Sequence, residues 1–495
     1  QENRGTILLM VDDEYLPELT NEIQTLEMDL FRDGWKVVRR TANKTDAVTA
    51  VRSSIQQVHN ETTDLKAVYL LGHIPVPYSG NIYPDTHSEN HQGAWSADNY
   101  YGEMNGIWTD EVANITTAFF ERNHNVPGDG KFDQDSIPSE MELQVGRVDF
   151  YDMDQFALSE IELTRRYLQK SHAFKLAQIE VQRRALVDDN FGNAFAAPAA
   201  SAWRNFAPMF GAAGTEELDY FSTMTNETYL WSYGCGSGSH LSSSGIGTTE
   251  DFAADSLLTV FTMLFGSQFG DWDNPNNFLR APLAQGLTLT NVWAGNPPWT
   301  FHHMAMGYPI GYSALRTLNS DNGVYLNGPQ LVHANLLGDP SLRMHPVQPV
   351  ENLAALSDGF QVNLSWDAPQ GETVAGYYVY RSDTLFGTYQ RITPNLITAT
   401  DFADVNPPVG ENVYMIKTLK LETSGSGTYY NTALGVIDSV DFVLNNPSIF
   451  AEKNNFTVAP NPASDIITIT FEESLQADYQ LNIIDQLGRT IYFES

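Results

Sequence analysis

The sequence predicts an α/β body, a mainly parallel sheet flanked by helices, followed by C-terminal β-sandwich domains. Three observations carry that expectation. Apolar runs alternate with helix-period segments to about residue 346, two prolines interrupt regular structure within 345–349, and short alternating strands follow. With 495 residues the chain exceeds what one hydrophobic core usually serves, so two or three domains are expected.

Residues 5–13 (GTILLMVDD) read as a buried strand, and Leu16, Leu19, Ile23, Leu26, Leu30 and Phe31 fall at helical spacing over 15–33. Strand 35–40, helix 45–58 and strand 66–72 continue the alternation, which gives a parallel sheet covered by helices. Residues 78–140 lose periodicity and fill with Gly, Pro, Asn, Asp and aromatics, as a functional or metal-ordered excursion does. Beyond it the pattern predicts strand 143–149, helix 153–170, strand 183–188, helix 194–206, strand 228–234, helix 251–258 and strand 259–265. A helix near 276–285, strand 288–293, a helix near 302–318 and a closing segment at 333–344 complete the body. Strands 228–234 and 259–265 are apolar almost throughout, so they are expected side by side in the middle of the sheet.

Against 61 Asp and Glu stand 27 Lys and Arg, a net charge of −34 that repels nucleic acid and anionic membranes. The longest apolar run, Leu257 to Gly266, is half the ~20 residues of a spanning helix, so no transmembrane segment is expected. Gln1 is followed by an ordinary strand pattern, so any export signal is expected to have been removed already. A single cysteine, Cys235, excludes an intrachain disulfide and a Cys-rich metal site.

From 350 to about 442, runs such as FQVNLSWD, GYYVYRS and NVYMIKTL are separated by turn residues, as in a β-sandwich. The placing of Trp366, Tyr378 and Tyr414 resembles a fibronectin type III domain, which implies a spacer or adhesion module. The tail carries Pro460-Asn461-Pro462, an alternating strand from Ile466 to Phe471, and Ile484-Asp485-Gln486-Leu487-Gly488-Arg489. It resembles the type A sorting domain of the Bacteroidetes type IX secretion system. That resemblance implies a secreted or cell-surface protein with the secretion machinery as partner. The expected domains are therefore 1–346, 347–445 and a partial sorting domain at 446–495.

Within the body, Val145-Gly146-Arg147 after an acidic Pro-bearing loop, LLGDPSLRM at 336–344, YLWSYGCGSGSH and FTMLFGSQFGDWD resemble the gingipain-like, caspase-fold cysteine peptidases. The resemblance implies a caspase-like sheet and a peptide or protein substrate. On its alignment Cys235 takes the family's histidine position and Ser267 its cysteine position.

Read from the residues themselves, Cys235 lies in Gly234-Cys235-Gly236-Ser237-Gly238, where glycines let backbone N–H groups converge as an oxyanion hole requires. With His240 or His302 (or the adjacent His303) as base, Cys235 is the expected nucleophile; a buried, inert thiol is the other reading. Ser267 is the alternative nucleophile. Asn125, Asp129, the Lys131 carbonyl and Asp133, with Asp135 beyond, fall near the spacing of a calcium loop, so calcium is the expected cofactor and no organic one is. His73, His87 and His91, beside Asp85, Glu89 and Asp98, are either scattered loop residues, a zinc site or the rim of an active site. Two functions stay open: a secreted cysteine hydrolase of peptidase type, and a catalytically inactive relative that binds peptide or glycan or serves adhesion at the surface.

Overall fold

The computed structural model describes residues 3–85, 87, 91–192, 197–295, 297–320, 331–444, 456–459, 466–471, 481–484 and 490–494. Ten strands form the main sheet: β1 (Gly5–Asp12), β2 (Trp35–Ala42), β3 (Leu65–Leu71), β4 (Gln144–Val148), β5 (Ala185–Asp189), β6 (Thr215–Glu217), β7 (Tyr229–Cys235), β8 (Thr259–Phe265), β9 (Thr290–Trp293) and β10 (Leu336–Gly338). Their spatial order is β2-β1-β3-β4-β10-β9-β8-β7-β5-β6. β10 runs antiparallel to β9 and meets β4 through the pair Leu337–Arg147; the other pairings, β1–β2, β1–β3, β3–β4, β5–β6, β5–β7, β7–β8 and β8–β9, are parallel.

Helices on both faces explain the near-continuous apolar strands. Ile7 to Val11 and Val68 to Leu71 are fully buried, as are Val260, Phe261, Met263 and Leu264. β7 and β8 lie side by side inside the sheet as expected, with Cys235 opposite Phe265. α1 (Thr20–Asp33) buries Ile23, Leu26 and Leu30 and stops at Gly34, whose φ of 108° only glycine adopts freely and whose N–H closes on Leu30 and Phe31.

Several boundaries differ from the sequence expectation for local chemical reasons. The helix expected at 153–170 starts instead at Glu160 (α2, Glu160–Lys175), where the Ser159 side chain accepts from the Glu162 N–H. The segment 302–318 divides into a short 3₁₀ turn, His302–Met306, and a helix, Ile310–Leu318, because Gly307 takes φ 85° and Pro309 supplies the new N-terminus. Strand β6, at the sheet edge, has too few apolar residues to register in the sequence pattern.

Beyond residue 350, two antiparallel sheets face each other around Val362, Leu364, Trp366, Tyr377, Val379, Tyr414 and Ile416. Tyr377, not Tyr378, is the inward tyrosine: its ring meets Trp366 edge-on at 5.4 Å, while Tyr378 turns outward under Arg391. The one-residue difference is the strand's two-residue period. Tyr414 donates to Asp404 at 2.9 Å. In the tail, Phe456–Ala459 pairs with Thr468–Phe471 and Leu481–Ile484 with Thr490–Glu494. The Pro460-Asn461-Pro462 motif and residues 485–489 lie outside the described residues.

Candidate active site

The carboxyl ends of the two halves of the sheet converge. Arg280, beyond the end of β8, donates to the Tyr151 carbonyl beyond β4 at 2.8 Å and to the Asn274 carbonyl at 2.7 Å. This is the side on which open α/β sheets bind ligands. Above it lies the 78–140 excursion, anchored by a short ribbon in which Tyr78–Ser79 pairs with Trp95–Ser96.

Ser267 stands two residues past β8, half-buried, and its Oγ lies 2.6 Å from His87 Nε2. His87 belongs to the excursion and stacks on His91, with ring centroids 5.1 Å apart. The Gln268 side-chain amide donates to His91 Nε2 at 2.9 Å, so His91 carries its proton on Nδ1 and gives it to Asp85 at 2.7 Å. Asp85 also accepts from the backbone N–H of His87 at 3.3 Å and of Gln268 at 3.1 Å. One buried carboxylate thus binds the histidine loop to the end of the central strand. Gln268 takes φ 69°, an uncommon conformation for a side-chain-bearing residue and one met at functional turns.

The glycines around Cys235 serve this strand end. A Cβ on Gly238 would stand 2.5 Å from Ser267 N and 2.6 Å from Ser267 O, and one on Gly236 would strike the Ser244 carbonyl. Only glycine lets the 236–238 loop approach so closely. Gly236 N–H bonds Phe265 O and Ser237 O accepts from Ser244 N, while Gly234 is a residue of β7 itself. The loop packs the strand end; it is not a nest around the thiol.

Cys235 is fully buried and donates its S–H to Asp189 at 3.1 Å. Burial first, then that carboxylate, pushes the thiol up to about 12, the reverse of what a thiolate nucleophile needs. His240 does not reach it either: its Nε2 accepts from Arg122 at 3.3 Å and its ring meets Phe120 edge-on at 4.5 Å. His302 stacks on His303 at 4.3 Å in a turn that carries Ala305, whose carbonyl accepts from Ser424 of the sandwich. The sandwich meets the body at the amino end of β5 through Arg183 and Glu422, away from the carboxyl end where Cys235 sits.

In the stretch of the expected calcium loop, the side chains bond mainly to backbone groups. Burial is the largest single influence on Asp133 and raises its pKa, but the bonds it accepts from the N–H groups of Ala113, Glu111 and Val112 and from the Thr109 hydroxyl together outweigh it and hold the carboxyl at about 2. Asp129 accepts from Val126 and Lys131 N–H, Asp135 from Asn81 N–H, and the Asn125 amide donates to Gly80 and Phe132 carbonyls. Among the described residues no group of three or more His, Cys, Asp or Glu side chains is placed to hold a metal ion. His73 stands apart from His87 and His91, bonded to Asp149 at 2.9 Å.

Near the Ser267–His87 pair, reached through Gln268 and His91, opens a narrow cleft with room for about one water molecule. Trp95, Ala118 and Phe120 supply its apolar wall, and Gln268, His240 and Asp271 supply polar groups. Sequence reasoning singled out Ser267 and placed His87 and His91, with Asp85 beside them, on a possible rim, but it had no signal for Gln268 or Arg122. Only the fold brings those residues together.

Residues 457–495 match the model of the secretion system C-terminal sorting domain. In structure the chain is similar to gingipain R (RgpB) of Porphyromonas gingivalis, an Arg-specific cysteine proteinase, in two crystal structures: 12% identity, TM-scores 0.47 and 0.48, 87% and 88% of this chain and 98% and 100% of theirs. It is also similar to an Fn3-like protein from Clostridium thermocellum, 26% identical over 18% of this chain and 88% of that one, TM-score 0.14. An amylopullulanase of Thermoanaerobacterium saccharolyticum is 28% identical over 181 residues, 34% of this chain, and the match spans only 14% of that protein's length. No helix among the described residues is long and apolar enough to cross a membrane. The C-terminal match marks the chain as a secreted or cell-surface protein that engages the secretion machinery, and its body carries the mainly parallel, helix-flanked sheet that the caspase-like resemblance implied.

Proposed function

We propose that the protein is an exported hydrolase of peptide-type bonds in which Ser267, rather than Cys235, is the nucleophile and His87 the base. One observation carries the reading: Ser267 Oγ stands 2.6 Å from His87 Nε2 at the carboxyl end of a central strand, beside a cleft. In the reaction His87 Nε2 takes the hydroxyl proton as Oγ attacks the carbonyl carbon, then returns it to the leaving amine. Water, deprotonated by the same imidazole, releases the acyl group from Ser267. Asp85 and His91 position the base: Asp85 fixes the His87 main chain, and His91 backs the ring.

The peptide substrate rests on the gingipain-like motifs of the body. The sealed Cys235 thiol favours a second reading, a surface protein that binds peptide or glycan without cleaving it. Incubation with a mixed peptide library, read by mass spectrometry, separates the two. Wild type and Cys235→Ala should cleave alike, and Ser267→Ala should lose roughly 10⁴-fold or more in rate. Cleavage that survives Ser267→Ala, or none by the wild type, rules out the serine mechanism.

A further inference from the structure

The sandwich ends in an apolar pole. At the end where Val362 pairs with Asp404 and Gly410 with Phe442, the turn 358–361 and the loop 405–409 lie next to the point where the chain leaves its last strand, Val436–Phe442. The loop crosses from one sheet to the other, so it joins Phe360 and Val405 on one side to Val409, Val443 and Leu444 on the other. Phe360, Val405, Val409 and Val443 are 60–69% exposed, and Leu444 is 58% exposed. Single apolar side chains are ordinary on a surface, but five gathered at one end mark a contact. The junction with the body is made by other residues, Phe386, Tyr389, Glu422 and the stretch 424–435.

The chain supplies an occupant. Eleven residues separate Leu444 from Phe456, where the strands of the sorting domain begin. Even fully extended they reach at most ~40 Å, so the tail is held beside the pole at an effective concentration of about a millimolar. Among the described residues the tail forms two ribbons of two strands each, Phe456–Ala459 with Thr468–Phe471 and Leu481–Ile484 with Thr490–Glu494. A lone two-stranded ribbon is marginal in water and needs an apolar surface to pack on. Ile466 and Ile467, which lead into the second strand, are 74% and 50% exposed. The pole and these isoleucines are both uncovered, and docking would bury the two together. A second copy of the chain is a poor rival, since each copy carries a charge of −34 and would have to arrive from dilute solution. Exposed Asp358, Glu411 and Asp441 flank the pole, and residues 456–495 carry six Asp or Glu against one Arg, so apolar burial, not charge, is the attraction.

We infer that the sorting domain packs its exposed isoleucines on this pole of the sandwich, with Phe360 and Val409 at the contact. The secretion tail is then presented from a docked position beside the sandwich, and the acidic flank makes the docking tighter as salt screens it.

Full-length protein is used throughout the test. Hydroxyl-radical footprinting read by mass spectrometry should oxidise Phe360 at least ~3-fold faster in Ile466→Asp than in wild type, with wild-type protection growing between low and high salt. Phe360→Asp combined with Val409→Asp, at positions exposed enough for the sandwich to fold, should lengthen the maximum dimension in small-angle X-ray scattering by roughly 10 Å or more, within the reach of the eleven residues. Should Ile466→Asp merely unfold the tail, the pole variant, whose tail is intact, still decides. Equal oxidation of Phe360 in wild type and Ile466→Asp, with unchanged scattering in the pole variant, overturns the inference. Protection of Phe360 that fades on dilution of the wild type assigns the pole to a second copy and overturns it as well.

Discussion

His333 lies buried between Trp95 and Trp293, with ring centroids 6.1 and 6.3 Å away, and its Nε2 has no hydrogen-bond partner. Burial lowers its pKa to about 3. In the unfolded chain the ring protonates near 6.5, so between that value and about 3 the unfolded state holds the extra proton and folding weakens as pH falls. At pH 5 the loss amounts to at most about 2 kcal/mol. His333→Phe should therefore show a smaller drop in urea midpoint between pH 7 and pH 5 than the wild type; equal drops would show that this ring does not supply the sensitivity. Arg147 is the opposite case, a fully buried cation matched by Asp98 through two bonds of 2.8 Å and by the Ile74 carbonyl. The Val-Gly-Arg motif was legible in the sequence. Its partner was not, because Asp98 lies 49 residues away in the aperiodic excursion. Arg147→Met should cost about 3–5 kcal/mol, since it strands a buried carboxylate; a loss under ~1 kcal/mol in chemical denaturation would refute that role.

Strands β7 and β8 were legible because burial on both faces writes itself as unbroken apolar runs, and their adjacency followed from the same pattern. What lay beyond their ends was not. Both the glycines after Cys235 and the serine after Phe265 are visible in the sequence, but which strand end the glycines serve depends on a lateral contact with no sequence periodicity. The same limit hid His87: its place beside Ser267 comes from Asp85, whose bonds to residues 87, 91 and 268 span both a loop and a strand end. Gly238→Ala tests the packing role. The added methyl would press on Ser267 N and O, so activity should fall at least ~10-fold with a lowered melting temperature, whereas Gly371→Ala, with open space around it at φ 84°, should leave activity unchanged. Equal activity for wild type and Gly238→Ala would show that the loop does not position Ser267.

At the scale of the molecule, the sandwich is fastened to the body by charged and polar bonds together with edge-on packing of Phe31 against Phe386 and Tyr389, at 5.1 and 5.8 Å. Arg343 donates to Asp33 at 2.8 Å and also to Asn431 and the Thr432 carbonyl, Arg183 pairs with the buried Glu422, and Gly435 N–H bonds the Arg32 carbonyl. Each domain keeps its own hydrophobic cluster. Calorimetry of the wild type should give one coupled transition for body and sandwich, and Arg343→Ala combined with Arg183→Ala should separate it into two. A single transition in the double variant would locate the coupling elsewhere. Asp33 is the centre of this junction, since Arg4 also pairs with it at 2.6 Å. That meeting of residues 4, 33 and 343 sets a timetable. At a synthesis rate of roughly 5–20 residues per second, Arg343 follows Arg4 out of the ribosome by about 15–70 seconds. Until then the first βα units can pair among themselves, yet Asp33 lacks its second cation and the sandwich has nowhere to dock. The Arg343–Asp33 contact spans 310 residues, so closure of the body waits on the end of its own translation, and the sandwich contacts from Glu422 to Gly435 can only follow.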